Sequence, residues 1–363
     1  MAAGQEEATV SVIVPTHNRA AYLKRALDSI RAQTYSNLEV IVIANGCADA
    51  TARVARDFQR QLESQPQTSP ASPVDFIFRD FKETLGGARA RNLGLDCARG
   101  TYIAFLDDDD CWHPDKLSTQ VALLNRYDCA LVGSDYFYWY GPLEHEQTRP
   151  AGRAAAEATV LRFDDLTCEN KLGGFSLCLT RRSRIGKLRI DEQLQALQDW
   201  DLWLKILAAG GNARISPQRH VHYRIDGERI SNRYAQIAAA QRHFLSRWRD
   251  RLNAPSIAYH EMRLFSFQMK VRAGAAGETI DSKQNIFEKF STWFCVIARW
   301  PWFIKTIHRS SERGNIKRYI HYMLLPLFDI DAIRMRLWRI GIGNKRAQHG
   351  AGDKVTPCKP RNA

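Results

Sequence analysis

Several features that would assign this sequence to a class of protein are missing from it. The first residues, Met1–Val10, contain neither a basic nor an apolar stretch, which is not typical of a signal peptide. The nearest approach to a membrane span, Thr292–Ile304, is shorter than the roughly 18 apolar residues required and contains Arg299 and Pro301. We therefore expect a cytoplasmic protein without membrane-spanning segments.

Disulfide and zinc frameworks are also missing. The sequence has eight cysteines, but no C-x-x-C pair, and none of them has His or Cys at zinc-ligand spacing. We expect reduced thiols, as in a cytosolic chain. No internal repeat is present, and no G-x-G-x-x-G follows the first predicted strand, which argues against a dinucleotide-dependent oxidoreductase.

Positive charge is abundant and unevenly distributed. The formal net charge is +13, and Ile286–Ala363 alone contains 15 Lys/Arg against 5 Asp/Glu. Aromatic residues such as Trp300, Trp302 and Trp338 lie among these basic residues, a composition that suits an anionic membrane surface. A helical subdomain that turns its charges to water is the alternative. No nucleic-acid-binding motif is present, and we expect no nucleic-acid partner.

Apolar runs alternate with segments of helical spacing along the first part of the chain. This alternation predicts parallel strands joined by crossover helices, an α/β fold with a mainly parallel sheet flanked by helices. After about residue 232 the pattern is helical without clear strands. We predict an α/β domain at 1–232 and a helical, basic, aromatic-rich region at 233–363. The predicted strands are 10–14, 40–44, 75–79, 102–106, 129–140 and 219–225, and the predicted helices are 22–33, 49–62, 88–98, 114–124 and 194–209.

Four consecutive aspartates, Asp107–Asp110, follow the predicted buried strand Tyr102–Leu106. The carboxyl ends of strands in open α/β sheets are where ligands bind. Four adjacent carboxylates repel one another, and a divalent cation such as Mg²⁺ or Mn²⁺ would relieve that repulsion, typically through one or two carboxylates and substrate phosphates. The alternative is a solvated acidic turn that caps the helix after Pro114.

Three segments, in this order, resemble the family 2 glycosyltransferases, which have the GT-A fold. The first is Val12–Arg19, with Gln33–Tyr35 after a helix. The second is Ala90–Leu95, followed by Phe105–Leu117, and the third is Gln198–Lys205. The resemblance covers about residues 10–230 and implies an inverting, metal-dependent transferase of the hexosyltransferase type.

The resemblance assigns the aspartates as a D-x-D motif. It implies that Asp107 contacts the donor ribose or the metal and that Asp109 binds the metal, with Asp108 also in the donor site. Asp110 is implied as a supporting or helix-capping residue. The metal, Mn²⁺ or Mg²⁺, would stabilise the departing nucleoside diphosphate as a Lewis acid.

The resemblance also implies a nucleotide pocket at the ends of the first strands. Asn45 stands where the family often has Asp, so it either replaces a base contact or forms a plain Asn-Gly turn, and Ala44 is a further departure. Arg89 and Arg91 are candidates for the diphosphate. The pocket residues implied are Pro15, Thr16, His17, Asn18, Asn45, Arg91, Asp107 and Asp108.

Asp199 is the predicted general base, at the start of a helix whose apolar residues pack inward. The alternative role is helix capping. Asp201, two residues along the helix, points about 200° away and is the less favoured carboxylate. Gln198 departs from the Glu that the family usually has there.

The acceptor side is implied at Gly173–Ser176, where the alternative is a simple turn. His220 and His222 share one strand face by period-2 spacing, and a structural role is favoured over metal binding. Arg224 is the better candidate near the diphosphate.

These patterns predict transfer of a sugar from a nucleotide-diphosphate sugar, with UDP favoured, to an acceptor hydroxyl. The acceptor predicted is a cell-surface polysaccharide or lipid-linked saccharide, with the chain peripheral on the cytoplasmic face of a membrane. The alternative is a catalytically inactive sugar- or lipid-binding protein with the same fold.

Overall fold

The structure, a computed structural model, describes residues 8–64, 74–140, 147–151, 158–225 and 233–275, with side chains to residue 271. The chain divides into two compact units, and the division falls between Ile230 and Ser231. The two units are described separately below. The predicted domain boundary near residue 232 stays a prediction.

The first unit is built on a ten-stranded sheet with the order β3-β2-β1-β4-β9-β6-β10-β5. Eight of the ten strands lie on this path. The other two lie off it, β7 beside β6 and β8 beside β10. The strands are β1 (Val10–Thr16), β2 (Leu38–Asn45), β3 (Asp75–Phe81), β4 (Tyr102–Phe105), β5 (Cys111–Trp112), β6 (Leu131–Tyr140), β7 (Gln147–Pro150), β8 (Thr159–Leu161), β9 (Leu179–Arg181) and β10 (Ala213–Arg224).

Helices join these strands and cover the sheet. Those of the first unit are α1 (Ala20–Arg31), α2 (Thr51–Ser64), α3 (Gly87–Cys97), α4 (Lys116–Tyr127), α5 (Arg182–Ile185) and α6 (Gln198–Ala208). Strands β1, β2 and β4 are fully buried, as their continuous apolar runs predict for a sheet covered on both faces. Gly94 of α3 allows a close approach to β1, because a Cβ there would lie 2.3 Å from the Ile13 side chain.

The first half of the sheet is parallel and the second half is mixed. Strands β3, β2, β1 and β4 run parallel, whereas β9 pairs antiparallel with both β4 and β6. Strand β10 then runs parallel to β6, with register shifts between Ser216 and Arg219 and between Arg219 and Val221. Pro217 lies in the first shift, where the absence of a backbone N–H costs no ladder hydrogen bond.

In the second unit the structure describes two α-helices, α7 (Tyr234–Trp248) and α8 (Ala254–Ala275). A buried hydrogen bond joins them, from Gln241 Nε2 to His260 Nδ1 at 2.7 Å. The basic, aromatic-rich segment after residue 275, with the predicted membrane contact, lies outside the described residues. Within the described ranges, no helix is both long and apolar enough to span a bilayer.

The mainly parallel α/β architecture confirms the sequence prediction. The strands β5, β7, β8 and β9 were not predicted, because they are short and carry no clear alternation. Strand β10 begins at Ala213, earlier than the predicted 219. The six cysteines in the described ranges form no disulfide.

Candidate functional site

The candidate site lies at the carboxyl ends of the parallel strands. Thr16 ends β1, Asn45 ends β2, and the turn Asp107–Asp110 begins two residues after the end of β4 at Phe105. Because neighbouring parallel strands end at the same edge of a sheet, these polar side chains converge there.

The aspartates of the turn differ in exposure. The side chains of Asp107 and Asp109 are 27% and 28% exposed, whereas that of Asp108 is 6% exposed. Asp107 and Asp109 can therefore meet a ligand from solvent, while Asp108 faces the protein.

Asp108 joins the turn to the end of β1. Its carboxylate accepts hydrogen bonds from Thr16 Oγ1 at 2.7 Å and from the His17 backbone N–H at 3.4 Å. Burial raises its pKa to about 6, and Asp109 adds to this, while Arg19 opposes it. The structure places Asp108 as a support for the turn Asp107–Asp110.

Two arginines neutralise the turn. Arg19 Nη1 lies 3.0 Å from Asp108 Oδ1 and 2.6 Å from Asp109 Oδ2. Arg91 Nη2 lies 2.5 Å from Asp107 Oδ1, and its guanidinium lies 4.3 Å above the Phe175 ring. Both carboxylates predicted to meet a metal are thus bound to guanidinium groups.

Asp110 connects the turn to the end of β10. It is buried, and its Oδ1 accepts a hydrogen bond from the Arg224 backbone N–H at 2.8 Å. Burial, together with Asp109 and Asp107, raises its pKa well above the usual range. Asp115, not Asp110, is the N-cap residue of α4, so the helix-capping role considered for Asp110 is wrong.

The turn after β1 is tied to the turn after β2. His17 is exposed, and its Nδ1 donates to the Asn45 carbonyl oxygen at 2.5 Å. Asn18 has a φ of 50°, and its Oδ1 accepts from the Ala48 backbone N–H at 2.7 Å. Pro15 is buried within β1. A stacking role for His17 stays a prediction.

Asn45 joins β2 to the loop before α3, because its Oδ1 accepts a hydrogen bond from the Leu85 backbone N–H. Its side chain is buried. A contact with a nucleotide base stays a prediction. Of the two arginines considered for the diphosphate, Arg91 lies in the site and Arg89 is exposed.

Asp199 lies in the first turn of α6 and is largely buried, with a small part of its surface exposed. Its Oδ2 accepts a hydrogen bond from Asn170 Nδ2 at 3.2 Å, and its Oδ1 accepts one from the Trp200 backbone N–H at 2.8 Å. Burial raises its pKa to about 6; the Trp200 N–H opposes this, the negative charge of Asp107 adds to it, and Arg91 opposes it. A carboxylate with such a pKa is a better proton acceptor than an ordinary aspartate.

Asp201, the alternative carboxylate, has a different environment. It is fully buried, and its Oδ2 lies 2.5 Å from Lys205 Nζ on the same helix. Asp199 and Asp201 therefore occupy different environments on α6. Gln198 beside them accepts a hydrogen bond from Arg91 Nη1 at 3.3 Å, which connects α6 to α3.

The loop predicted to face the acceptor supports the acidic turn. Ser176 Oγ accepts a hydrogen bond from the Asp107 backbone N–H at 3.0 Å, and the Ser176 carbonyl accepts one from Trp112 Nε1 at 2.9 Å. The Gly173 carbonyl accepts from Asn170 Nδ2 at 3.0 Å and from Trp203 Nε1 at 3.0 Å. The loop is more than a simple turn, since it contacts both Asp107 and the helix that carries Asp199.

The two histidines of β10 lie at and just after an irregularity in the strand. Two residues of β10, Arg219 and Val221, pair with the adjacent Asp135 and Tyr136, so His220 is the extra residue of a bulge. His220 lies beside His113, at 5.8 Å between ring centroids, whereas His222 stacks on Phe137 at 5.4 Å. Their ring neighbours differ, and the predicted shared face stays a prediction. Arg224 is buried, with its guanidinium near the rings of Tyr22 and Trp139.

Sequence reasoning did not single out Arg19 or Asn170. Arg19 lies in the first quoted motif, directly after Asn18, and its charge was the available signal. Asn170 carries no such signal, because only the fold brings it to Asp199.

The carboxylates of the site fit a hard divalent cation whose remaining ligands include phosphate oxygens. Two carboxylates, Asp107 and Asp109, are accessible, which matches the one or two that Mg²⁺ or Mn²⁺ typically uses with substrate phosphates. Arg19 and Arg91 already place positive charge against both. Among the described residues, no group of three or more His, Cys, Asp or Glu side chains is arranged to hold a metal by itself.

The family model described as Glycosyl transferase family 2 matches residues 11–189. An uncharacterized glycosyltransferase, RT0329, of Rickettsia typhi is 30% identical over 54% of this chain and 58% of its own length. The amylovoran biosynthesis glycosyltransferase AmsB of Erwinia amylovora is 28% identical over 55% of this chain and 64% of its own length. The chain thus covers less than two thirds of either relative.

Solved structures share the fold at low sequence identity. TarS 1-349 of S. aureus, in complex with UDP-GlcNAc, has a TM-score of 0.55 and 15% identity, and the match covers 92% of each chain. The mannosyltransferase PcManGT of Pyrobaculum calidifontis, in complex with GDP-Man and Mn²⁺, has a TM-score of 0.53 and 19% identity, covering 88% of this chain and 87% of its own. The fold is of the GT-A type, as predicted.

Proposed function

Residues 11–189 of this chain are a glycosyl transferase family 2 domain, and on this premise we propose that the protein is an inverting glycosyltransferase of the hexosyltransferase type. It transfers a sugar from a nucleotide-diphosphate sugar to an acceptor hydroxyl. The observation that carries the proposal is the environment of the Asp199 carboxylate. Asn170 donates a hydrogen bond to it, and burial raises its pKa to about 6. Asp199 lies beyond the matched residues, so its role is argued from geometry.

The donor occupies the edge formed by the ends of β1, β2 and β4. Thr16, His17 and Asn18 follow β1, and Asn45 ends β2, so the nucleoside lies between these two turns. Arg91, which points into the site, binds the diphosphate through its guanidinium. UDP is the proposed nucleotide, in line with the UDP-GlcNAc bound to TarS.

A divalent cation, Mn²⁺ or Mg²⁺, completes the donor site. Asp107 and Asp109 would hold it, because their carboxylates are the accessible ones in the turn. When bound, it supplies a Lewis acid that stabilises the negative charge of the leaving diphosphate. The structure of PcManGT contains Mn²⁺ together with GDP-Man.

The reaction proposed is a single displacement. The acceptor hydroxyl oxygen bonds to the anomeric carbon, the bond from that carbon to the diphosphate oxygen breaks, and the electron pair leaves with the nucleoside diphosphate. Asp199 accepts the hydroxyl proton. Asn170 holds the Asp199 carboxylate through one oxygen, and the Trp200 N–H through the other. Attack from the face opposite the diphosphate inverts the anomeric configuration.

The acceptor proposed is a saccharide of a cell-surface polysaccharide or a lipid-linked saccharide. In support, the relative AmsB is described as an amylovoran biosynthesis glycosyltransferase. The basic, aromatic-rich segment after residue 275 would attach the chain to the cytoplasmic face of a membrane.

A thermal-shift series with UDP-, GDP- and dTDP-sugars, with and without Mn²⁺, tests the donor site. One donor class at about 100 times its dissociation constant should raise the melting temperature by about 5 °C or more when Mn²⁺ is present. No stabilisation by any donor, with or without metal, would contradict the proposed donor site. Stabilisation without any turnover would favour the inactive binding protein.

Asp199→Asn tests the base. The variant should lower kcat for transfer by about 10² to 10⁴, the usual contribution of a positioned base. In the wild type the rate should rise with pH through the pKa of about 6, because only the ionised carboxylate accepts a proton. The matched control is Asp164→Asn, an exposed aspartate in the short helical turn Phe163–Leu166 beside α6. Equal activity of the two variants would disprove the role of Asp199.

A further inference from the structure

Three tyrosines form a cluster on the sheet close to the loop that supports Asp199. They are Tyr136 and Tyr138 of β6 and Tyr223 of β10. We propose that this tyrosine platform binds the pyranose ring of the saccharide acceptor. The proposal rests on the proposed function and deepens it, because it names the surface that recognises the acceptor.

The rings contact one another edge to face. The centroids of Tyr136 and Tyr138 are 5.2 Å apart with an interplanar angle of 87°, and those of Tyr136 and Tyr223 are 5.6 Å apart at 64°. The hydroxyl oxygens of Tyr136 and Tyr138 lie 3.3 Å apart. Such packing fixes the orientation of the rings before any ligand binds.

The three side chains lie on one face of the sheet. Tyr138 pairs with Tyr223 in the parallel register of β6 and β10, and Tyr136 precedes Tyr138 by two residues. Each of the three is partly exposed. On the other face, the buried Trp139 lies under the Arg25 guanidinium of α1, 4.2 Å from the ring centroid. The tyrosine face thus presents three partly exposed rings.

A short loop joins the platform to the general base. A Cβ at Gly174 would lie 3.3 Å from the Tyr223 ring, so the backbone of the loop passes close to that ring. The preceding residue, Gly173, accepts a hydrogen bond from Asn170, which also donates to Asp199. The span from residue 170 to residue 174 thus contacts both the platform and the proposed base.

The chemistry of the platform matches a saccharide. A pyranose presents C–H groups on its faces and hydroxyls around its rim. Tyrosine offers the complementary pair, an apolar ring and a phenolic hydroxyl that both donates and accepts. Arg149 of β7 lies 5.7 Å from the Tyr138 ring and adds a positive charge beside it.

The test uses the full chain, the donor with Mn²⁺, and methyl glycosides of glucose, galactose, mannose, N-acetylglucosamine and glucuronic acid as acceptors. For the glycoside that accepts sugar, Tyr223→Ala should raise the acceptor KM about tenfold or more, since an aromatic contact is lost. Tyr223→Phe keeps the ring and should raise it less. The dissociation constant of the donor with Mn²⁺ should stay within about twofold.

The matched control is Tyr127→Ala. Tyr127 is also partly exposed and lies under the Arg214 guanidinium at 3.7 Å, and Arg214 pairs with Val132 near the opposite end of β6. This variant should keep the wild-type acceptor KM. Saturation-transfer NMR with the same glycosides and UDP–Mn²⁺ gives an independent readout, because ring C–H signals should appear for the wild type and weaken for Tyr223→Ala.

The outcomes separate the two proposals. A wild type that neither transfers nor binds a donor sinks the proposed function itself. A wild type that transfers sugar, with Tyr223→Ala unchanged in acceptor KM and in the NMR signals, overturns the platform alone. A lower melting temperature with unchanged acceptor KM would mean that the tyrosines only pack the sheet, and this too overturns it.

Discussion

Arg19 and Arg91 balance the charge of the acidic turn, each from a different segment of the chain. Arg19 lies in the turn after β1 and contacts Asp108 and Asp109, while Arg91 lies on α3 and contacts Asp107. Each guanidinium lies against a carboxylate that a divalent cation is proposed to bind. A cation bound there would therefore compete with these arginines for the same oxygens.

Arg19→Ala tests this competition. Removing the guanidinium should raise the affinity for Mn²⁺ without a donor several-fold, about the 1 kcal/mol of a partly exposed ion pair. Arg19 is 40% exposed, which limits the effect to that range. Titration calorimetry with Mn²⁺ alone measures it.

The control for that experiment is Arg53→Ala, which removes the same charge from an exposed position on α2. Its Mn²⁺ affinity should match the wild type. An equal gain in both variants would mean that only the net charge matters, and a loss in Arg19→Ala would contradict the competition.

At the scale of single elements, the start of α4 contains a buried amine. Lys116 is fully buried, its Nζ lies 4.0 Å from the Trp112 ring centroid and donates to Gln120 Oε1 at 2.7 Å. Burial lowers its pKa to about 7 from the ordinary 10.5, with a smaller opposing effect from Cys178. The helix therefore begins at a residue whose charge the fold disfavours.

This depressed pKa predicts how stability depends on pH. Between about pH 7 and pH 10.5 the unfolded chain keeps the Lys116 proton and the folded chain loses it, so the free energy of unfolding should rise with pH. A full one-proton difference gives at most about 1.4 kcal/mol per pH unit. Urea unfolding of the wild type and of Lys116→Met at pH 7, 8 and 9 measures the slope, which should be smaller in the variant.

Lys24→Met is the control for the slope, since Lys24 is 63% exposed on α1 and pairs with Asp28. It should keep the wild-type slope. If Lys116→Met keeps that slope as well, another group binds the proton.

At the scale of the whole molecule, the sequence predicts the strands and helices better than it predicts the contacts between them. Apolar runs identify β1, β2 and β4, because a covered sheet requires them. The turn Asp107–Asp110 can also be identified from the sequence, because four adjacent carboxylates repel one another and therefore indicate a functional site. Ser176 and Asn170 could not be assigned in the same way. Ser176 lies 69 residues along the chain from Asp107, whose backbone N–H donates to it. Asn170 lies 29 residues from Asp199.

The histidines of β10 show a second limit. Period-2 alternation assumes a regular ladder, but the extra residue at His220 interrupts the pairing of β10 with β6. A bulge depends on the pairing with β6, and a single strand read alone does not report it.

The hydrogen bond from the Arg224 backbone N–H to the Asp110 carboxylate joins residues that are 114 positions apart. It has a consequence for the order in which the molecule is assembled. Closing so long a loop costs chain entropy, and strand β10 must already lie between β6 and β5 before the N–H reaches the carboxylate. A polypeptide cut after residue 189, where the family match ends, would retain all four aspartates but lose the N–H that Asp110 accepts from β10.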